Sequence, residues 1–346
     1  MSVPWPALRP LAEGDYPCFD VAIRSTVILE RNLAGFAFGS RLDGEGRVRA
    51  ASLLSEAARG AGLVLQPAGS MDPELQAAVA DRDLLPRSYL VDESATVGLG
   101  TESPAWASFF EREHLALRVA MPGLDLRAAW LAVSALDDAM GALVPWAFDP
   151  DAGFVMGEAV RCGTGLSAAV RFHLPALGIS GLAEGAFRRA MEAGFVVSGS
   201  YAGSAPSAGA LYGLSLPAAW REAEEPALDR LSRAATALVE YERRARNELL
   251  ERSPWDLLDL VGRGLGLASR SRLLGRDEAC DAVSGMRTGV AMGLLSGLGL
   301  AAATELWTTA RARSPRRGDE PESAARARVL RTAVADVSMD ERYRDV

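Results

Sequence analysis

The chain has 346 residues, 49% hydrophobic and 24% charged, with a formal net charge of −8. That profile belongs to a protein that buries a real core, so it excludes intrinsic disorder, and the acidic balance excludes a nucleic-acid binder held by a basic surface. The length accommodates one large domain, or a large and a small one.

All 37 basic residues are arginine. With so much Ala, Gly and Leu, this follows from a GC-rich coding sequence, although arginine is also the better bidentate partner for carboxylate and phosphate. Cys18, Cys162 and Cys280 show no CxxC spacing, and the only histidines are His114 and His173, which argues against a metal site. A reducing cytoplasm is the expected setting. The first residues, MSVPWPALRPLAEGDYP, hold no apolar run of signal-peptide type.

In chain order, residues 20–39 read as an extended segment running into a short helix or loop, and 48–62 as a helix. Residues 88–120 hold two strand-like runs, SYLVDESATVGLG and SFFEREHLALRVAM, separated by a turn. From Asp125 the pattern LRAAWLAVSALDDAMGAL has helical spacing. Extended character returns over 153–181, followed by a helix at 182–194 and strands at 195–201 and 210–216. The most strongly helical stretch is 218–252, with Leu228, Leu231, Ala235, Leu238 and Val239 on one face; the EYERRARNE run reads as its solvated face. Strand signals then vanish. From Thr288 to Thr304 the chain is uncharged but shorter than the roughly 20 residues that span a bilayer. Gly289, Gly293 and Gly297 there predict one flat helical face for close packing in a bundle or dimer. The Arg311–Arg317 cluster reads as part of a linker before a last helix, with an acidic partner as its alternative use. The expected fold is α/β (α+β): an antiparallel sheet flanked by helices over residues 1–252, then a helical C-terminal domain over 253–346.

Four ordered segments carry a resemblance. STVILERNL (25–33) is similar to an SxRxRxxRN motif, and EREHLALRV (111–119) to an acidic NEEDHLRI segment. GTGLSAAVRFHLPAL (163–177) is similar to GTGLRASVxxHLPAL, and GSYAGSAPSAGALYGLS (199–215) to xGxYGEGSEALGNLYQIS. Together with the 218–252 helix and DAVSGMRTGV (281–290), they make the chain resemble the bacterial protein arginine kinases, a branch of the ATP:guanido phosphotransferases. The resemblance implies transfer of the γ-phosphoryl of ATP to protein arginine, a reaction that needs a carboxylate base and cations around the phosphates.

On that alignment the chemistry is depleted. The phosphate-binding arginines fall on Thr26, Ile28, Ser167 and Ser198, leaving Arg31 as the retained nucleotide-site arginine. The acidic pair falls on Glu111 and Arg112, the loop glutamates on Gly203 and Pro206, and the reactive cysteine on Glu158, with Cys162 four residues too late to replace it. Glu158, Arg161 and Arg112 would face the old cleft, where Glu158 is expected to pair with Arg112 or Arg161. Of the C-terminal phosphoarginine-sensing motif, ARVLRT (327–332) keeps Arg331.

The expectation is a catalytically degenerate homologue without cofactor, acting as a regulatory or binding protein. It would pair with itself or with a related arginine kinase, with the glycine face and the 228–239 stripe as candidate contacts unless both are simply intramolecular core, and with no nucleic acid or membrane partner. The first alternative is an active kinase using ATP-Mg with relocated residues, Glu111 with Arg24 or Arg161. The second is a module that binds arginine or phosphoarginine.

Overall fold

The computed structural model describes residues 11–72, 76, 79, 85, 87–90, 92, 95–199, 208–217, 222–311 and 316–343. At its centre lies β1 (Ala22–Arg31), in which Val27 and Leu29 are buried while Thr26 and Ile28 are half-buried, the period-2 signature of a strand with two different faces. It pairs antiparallel with β5 (Leu115–Pro122) on one side and β8 (Leu166–His173) on the other. Outward from β5 come β4 (Trp106–Phe109), β3 (Thr96–Gly100) and β2 (Leu63–Pro67). Outward from β8 come β10 (Leu211–Ser215) and β9 (Val196–Ser198), completing an eight-stranded antiparallel sheet, while β6 (Phe148–Asp149) and β7 (Gly153–Phe154) form a separate hairpin.

One face of this sheet is covered by α1 (Gly44–Gly60), α3 (Leu126–Gly141), α5 (Ala183–Glu192) and the long α6 (Glu224–Arg252), which share one core cluster with Val27, Leu29, Leu117, Val119, Val170 and Phe172. Asp43 and Asp125 start α1 and α3 by accepting from the amides of Gly46 (2.6 Å) and Ala128 (2.9 Å). The short α2 (Arg87–Leu90) and its neighbours lie over Val97, Leu99 and Trp106. The start of the expected strand run SYLVDES is thus a helical turn; its strand begins at Thr96. The second run is two strands, broken at Phe110, whose φ of 59° no strand residue adopts.

A second core cluster gathers α7 (Pro254–Arg270), α8 (Arg276–Ala291), α9 (Leu300–Arg311) and α10 (Glu322–Ala333). Ser253 separates α6 from α7 at φ −143°, displaced from helical geometry by the following Pro254.

Three sequence expectations change. The uncharged stretch is not one helix: α8 ends at Ala291, Gly293 and Gly297 take positive φ, and Leu295–Ser296 pairs with Ser338–Met339. Gly289 packs inside the chain, where a Cβ would press on Leu295 and Val261, so these glycines form no common helical face. No described helix is long and apolar enough to cross a membrane. The apolar stripe of α6 is filled by the chain's own core. Most of the polar run on α6 is solvent-exposed, as expected, but Glu242 and Arg246 turn inward. Glu242 is fully buried and accepts from the amides of Ala176 (3.1 Å) and Leu177 (2.9 Å) at the start of α4 (Pro175–Ile179). Arg246 sits on Glu242 at 2.8 Å. Four-residue spacing put both on one face, but the orphan amides of α4 pulled that face inward.

Candidate active-site cleft

The register decides what the uncovered face of the sheet displays. Ile28 of β1 lies directly opposite Arg118 of β5 and Ser167 of β8, and Thr26 lies opposite Ala120 and Ala169. On the far side, Ser198 of β9 opposes Gly213 of β10, which opposes Arg171 of β8. Directly paired residues in an antiparallel sheet point to the same side. Thr26, Ile28, Ser167 and Ser198 therefore share one face, as the resemblance requires of them. They bring one isoleucine and three hydroxyls to it. The four positions themselves carry no guanidinium, while Arg118 beside Ile28 and Arg171 beyond Gly213 stand on the same face.

Two of the cations that stand nearby, Arg118 and Arg161, are engaged with carboxylates. Arg118 donates to Ser108 Oγ and Glu111 Oε2, both at 2.5 Å, and Ser108 also donates to Glu111 at 2.9 Å. Glu111, the retained carboxylate, is thus tied to a guanidinium rather than presented to a substrate. Arg161 pairs with Glu30 of β1 and reaches Glu113 at 3.4 Å. Burial raises the pKa of Glu30, opposed by the charges of Arg161 and Arg112.

The expected partner, Glu158, is not in this pair. It is exposed, at the head of a 3-10 turn (Ala159–Arg161) that turns Arg161 inward and leaves Glu158 facing water. Arg112 is exposed as well. Sequence reasoning missed Glu30 and Glu113. Glu113 is buried and accepts from Asn32 Nδ2 (2.6 Å) and the Gly157 amide (2.9 Å). Its place beside His114 in EREH was the available signal.

Arg31 belongs to the other face. Its Nη2 and Nε bond Asp137 of α3 at 2.7 and 3.1 Å, its Nη1 donates to the carbonyls of Glu30 and Thr164, and Phe154 lies 3.5 Å from the guanidinium carbon. Burial raises the Asp137 pKa while Arg31 pulls it back down. His114 holds its loop: Nδ1 accepts from the Leu33 amide at 3.1 Å and Nε2 bonds the Ala37 carbonyl at 2.9 Å. Cys162 is half-buried, its Sγ accepting from the Met156 amide at 3.3 Å. Arg331 donates to the Ser271 carbonyl. Gly203 and Pro206 lie outside the described residues.

Residues 64–245 match the family model described as ATP:guanido phosphotransferase, C-terminal catalytic domain. The chain is 30% identical over 295 residues to the protein-arginine kinase of Moorella thermoacetica, covering 83% of this chain and 84% of the relative. It is 28% identical over 291 residues to that of Symbiobacterium thermophilum, covering 82% of each. Among solved structures, the duplicated taurocyamine kinase of Schistosoma mansoni matches with a TM-score of 0.58 at 19% identity, over 74% of this chain and 38% of that one. A lombricine kinase matches with a TM-score of 0.54 at 17% identity, over 72% of each chain. These two likenesses concern the fold.

Proposed function

We propose, from the premise that the chain belongs to the ATP:guanido phosphotransferase family, that it keeps the family's fold, has given up phosphoryl transfer, and acts as a regulatory or binding protein. The observation that carries this reading is the position of Ile28, an aliphatic side chain set between Arg118 and Ser167 on the face where the phosphates would lie. Each charge-assisted hydrogen bond contributes on the order of 1.5–3 kcal/mol, so losing several separates a working nucleotide site from none. The base position is also changed, with Arg112 exposed and Glu111 bonded to Arg118. The partner we put forward is a second copy of this chain or a related arginine kinase in the cytoplasm, met through a surface other than the 228–239 stripe, which the chain's own core fills.

Calorimetry with millimolar ATP-Mg on the whole chain tests the reading, alongside label transfer from ATP to an arginine-containing protein. No heat and no transfer are expected. Micromolar binding with transfer would replace this reading by that of an active protein arginine kinase whose cations come from elsewhere in the chain.

A further inference from the structure

A cavity of about 410 Å³ opens between the β8–β10 end of the sheet and the helical cluster, away from Ile28. Arg171 and Tyr212 line it from the sheet, Ser198 from β9, and Arg276, Asp277 and Arg311 from α8 and α9. Among the described residues, the lining sets Arg171, Arg276 and Arg311 beside the carboxylate of Asp277, in a chain whose net charge is −8.

The backbone leaves room for the charges. Gly213 stands directly opposite Arg171, and a Cβ there would collide with Ser198 Oγ. Gly199 follows at φ 112°, open to glycine and strained for other residues. The cavity also touches the first turn of α8. That turn carries Asp277 and Glu278, and Glu278 accepts from the Gly275 amide at 3.3 Å, so the positive end of the helix is answered by its own carboxylates. Burial meanwhile pushes the thiol of Cys280, on the cavity wall, up to about 11, so the wall holds no thiolate to offset these cations.

We propose that this cavity binds a small molecule through its phosphoryl group. Paired guanidiniums match phosphate oxygens in bidentate geometry, and the volume lies at the small end of ligand sites, suiting a phosphoryl group with a modest organic remainder. Because the lining comes from both the sheet and the helical cluster, an occupant bridges the two and ties them more tightly. Ser198 is the position this cavity shares with the phosphate-facing set of the cleft, and binding here does not require the cleft to be active.

The test is calorimetry and thermal melting of the whole chain with inorganic phosphate and, separately, glycerol 3-phosphate, at low and high salt. Saturable binding is expected, weakening with salt, with a ligand-dependent rise in melting temperature. Arg276→Gln, an exposed position, should leave the melting temperature without ligand unchanged and weaken binding about tenfold. Arg171→Gln should do the same to binding. Tighter binding of glycerol 3-phosphate than of phosphate would identify an organic phosphate as the occupant; equal binding would identify the free anion. Absence of binding, or binding unchanged in Arg276→Gln, would overturn the proposal.

Discussion

Glu30 and Arg161 form an ion pair in the floor of the cleft across 131 positions of sequence, their side chains only 11% and 8% exposed. A carboxylate on the central strand is thereby neutralised from a turn that the protein builds just before β8. The pair joins the strand that would present phosphate ligands to the segment that would present the reactive cysteine.

Breaking that pair should be costly, and the cost should depend on pH. Arg161→Ala leaves Glu30 and Glu113 buried without their guanidinium, and losses of about 3–5 kcal/mol are typical for such a cut. Burial raises the folded-state pKa of Glu30, so stability drawn from its proton is present below the unfolded value near 4.5 and is lost as pH rises through the folded value. Removing Arg161 raises that pKa further. Urea midpoints of Arg161→Ala and wild type should therefore diverge more at about pH 8 than at about pH 5. An equal gap at both would show that Glu30 is not the group left exposed to the change.

Much of this architecture was legible in the sequence because local patterns decide it. The alternation in β1, the Asp125 cap and the 3–4 spacing of Leu228, Leu231 and Leu238 each determine an element and its buried face. The fate of charges was not legible, since it depends on groups distant in sequence. Glu242 reads as one more solvated glutamate until the amides of Ala176 and Leu177 arrive beside it. Glu158 and Arg161 read as a pair because the resemblance turns both toward the cleft, yet the turn between them sends one outward and the other to β1. The shared face of Thr26, Ile28, Ser167 and Ser198 follows from strand register, which only the assembled sheet specifies.

Restoring arginines on that face should separate fold from affinity. Thr26→Arg would stand opposite Ala120 and Ala169 and should be nearly neutral in stability, within about 0.5 kcal/mol. Ile28→Arg would stand directly opposite Arg118, and like charges paired across strands should cost up to about 1 kcal/mol more. The combined Thr26→Arg, Ile28→Arg, Ser167→Arg chain should gain ATP-Mg binding visible by calorimetry, with no phosphoryl transfer while Arg112 holds the base position. A folded triple variant with no nucleotide heat would mean that these lost arginines are not what removed the affinity.

The junction between sheet and helices should be acid-sensitive through His173. This ring is fully buried, with Nε2 2.7 Å from Ser284 Oγ and Nδ1 facing the Nη1 donor of Arg287 at 3.3 Å. Because an arginine N–H can only donate, Nδ1 must accept and Nε2 carries the proton, so the neutral ring satisfies both contacts. A second proton would meet a donor at Nδ1 and the charges of Arg287 and Arg246. Burial and those two charges hold the pKa of His173 well below 6.5. The unfolded chain takes that proton near pH 6.5 and the folded chain does not. Stability from this site is thus complete above about 6.5 and falls as pH drops toward the folded value, by at most about 1.4 kcal/mol per pH unit. His173→Gln keeps a donor and an acceptor but cannot titrate. It should lower the urea midpoint at neutral pH and flatten its decline between about pH 6.5 and 5, whereas an unchanged slope would assign the acid sensitivity to other groups. Arg287 also donates to the backbone carbonyls of Phe19 and Asp20, so the ring's protonation is coupled to the bonds that fasten the helical cluster to the start of β1.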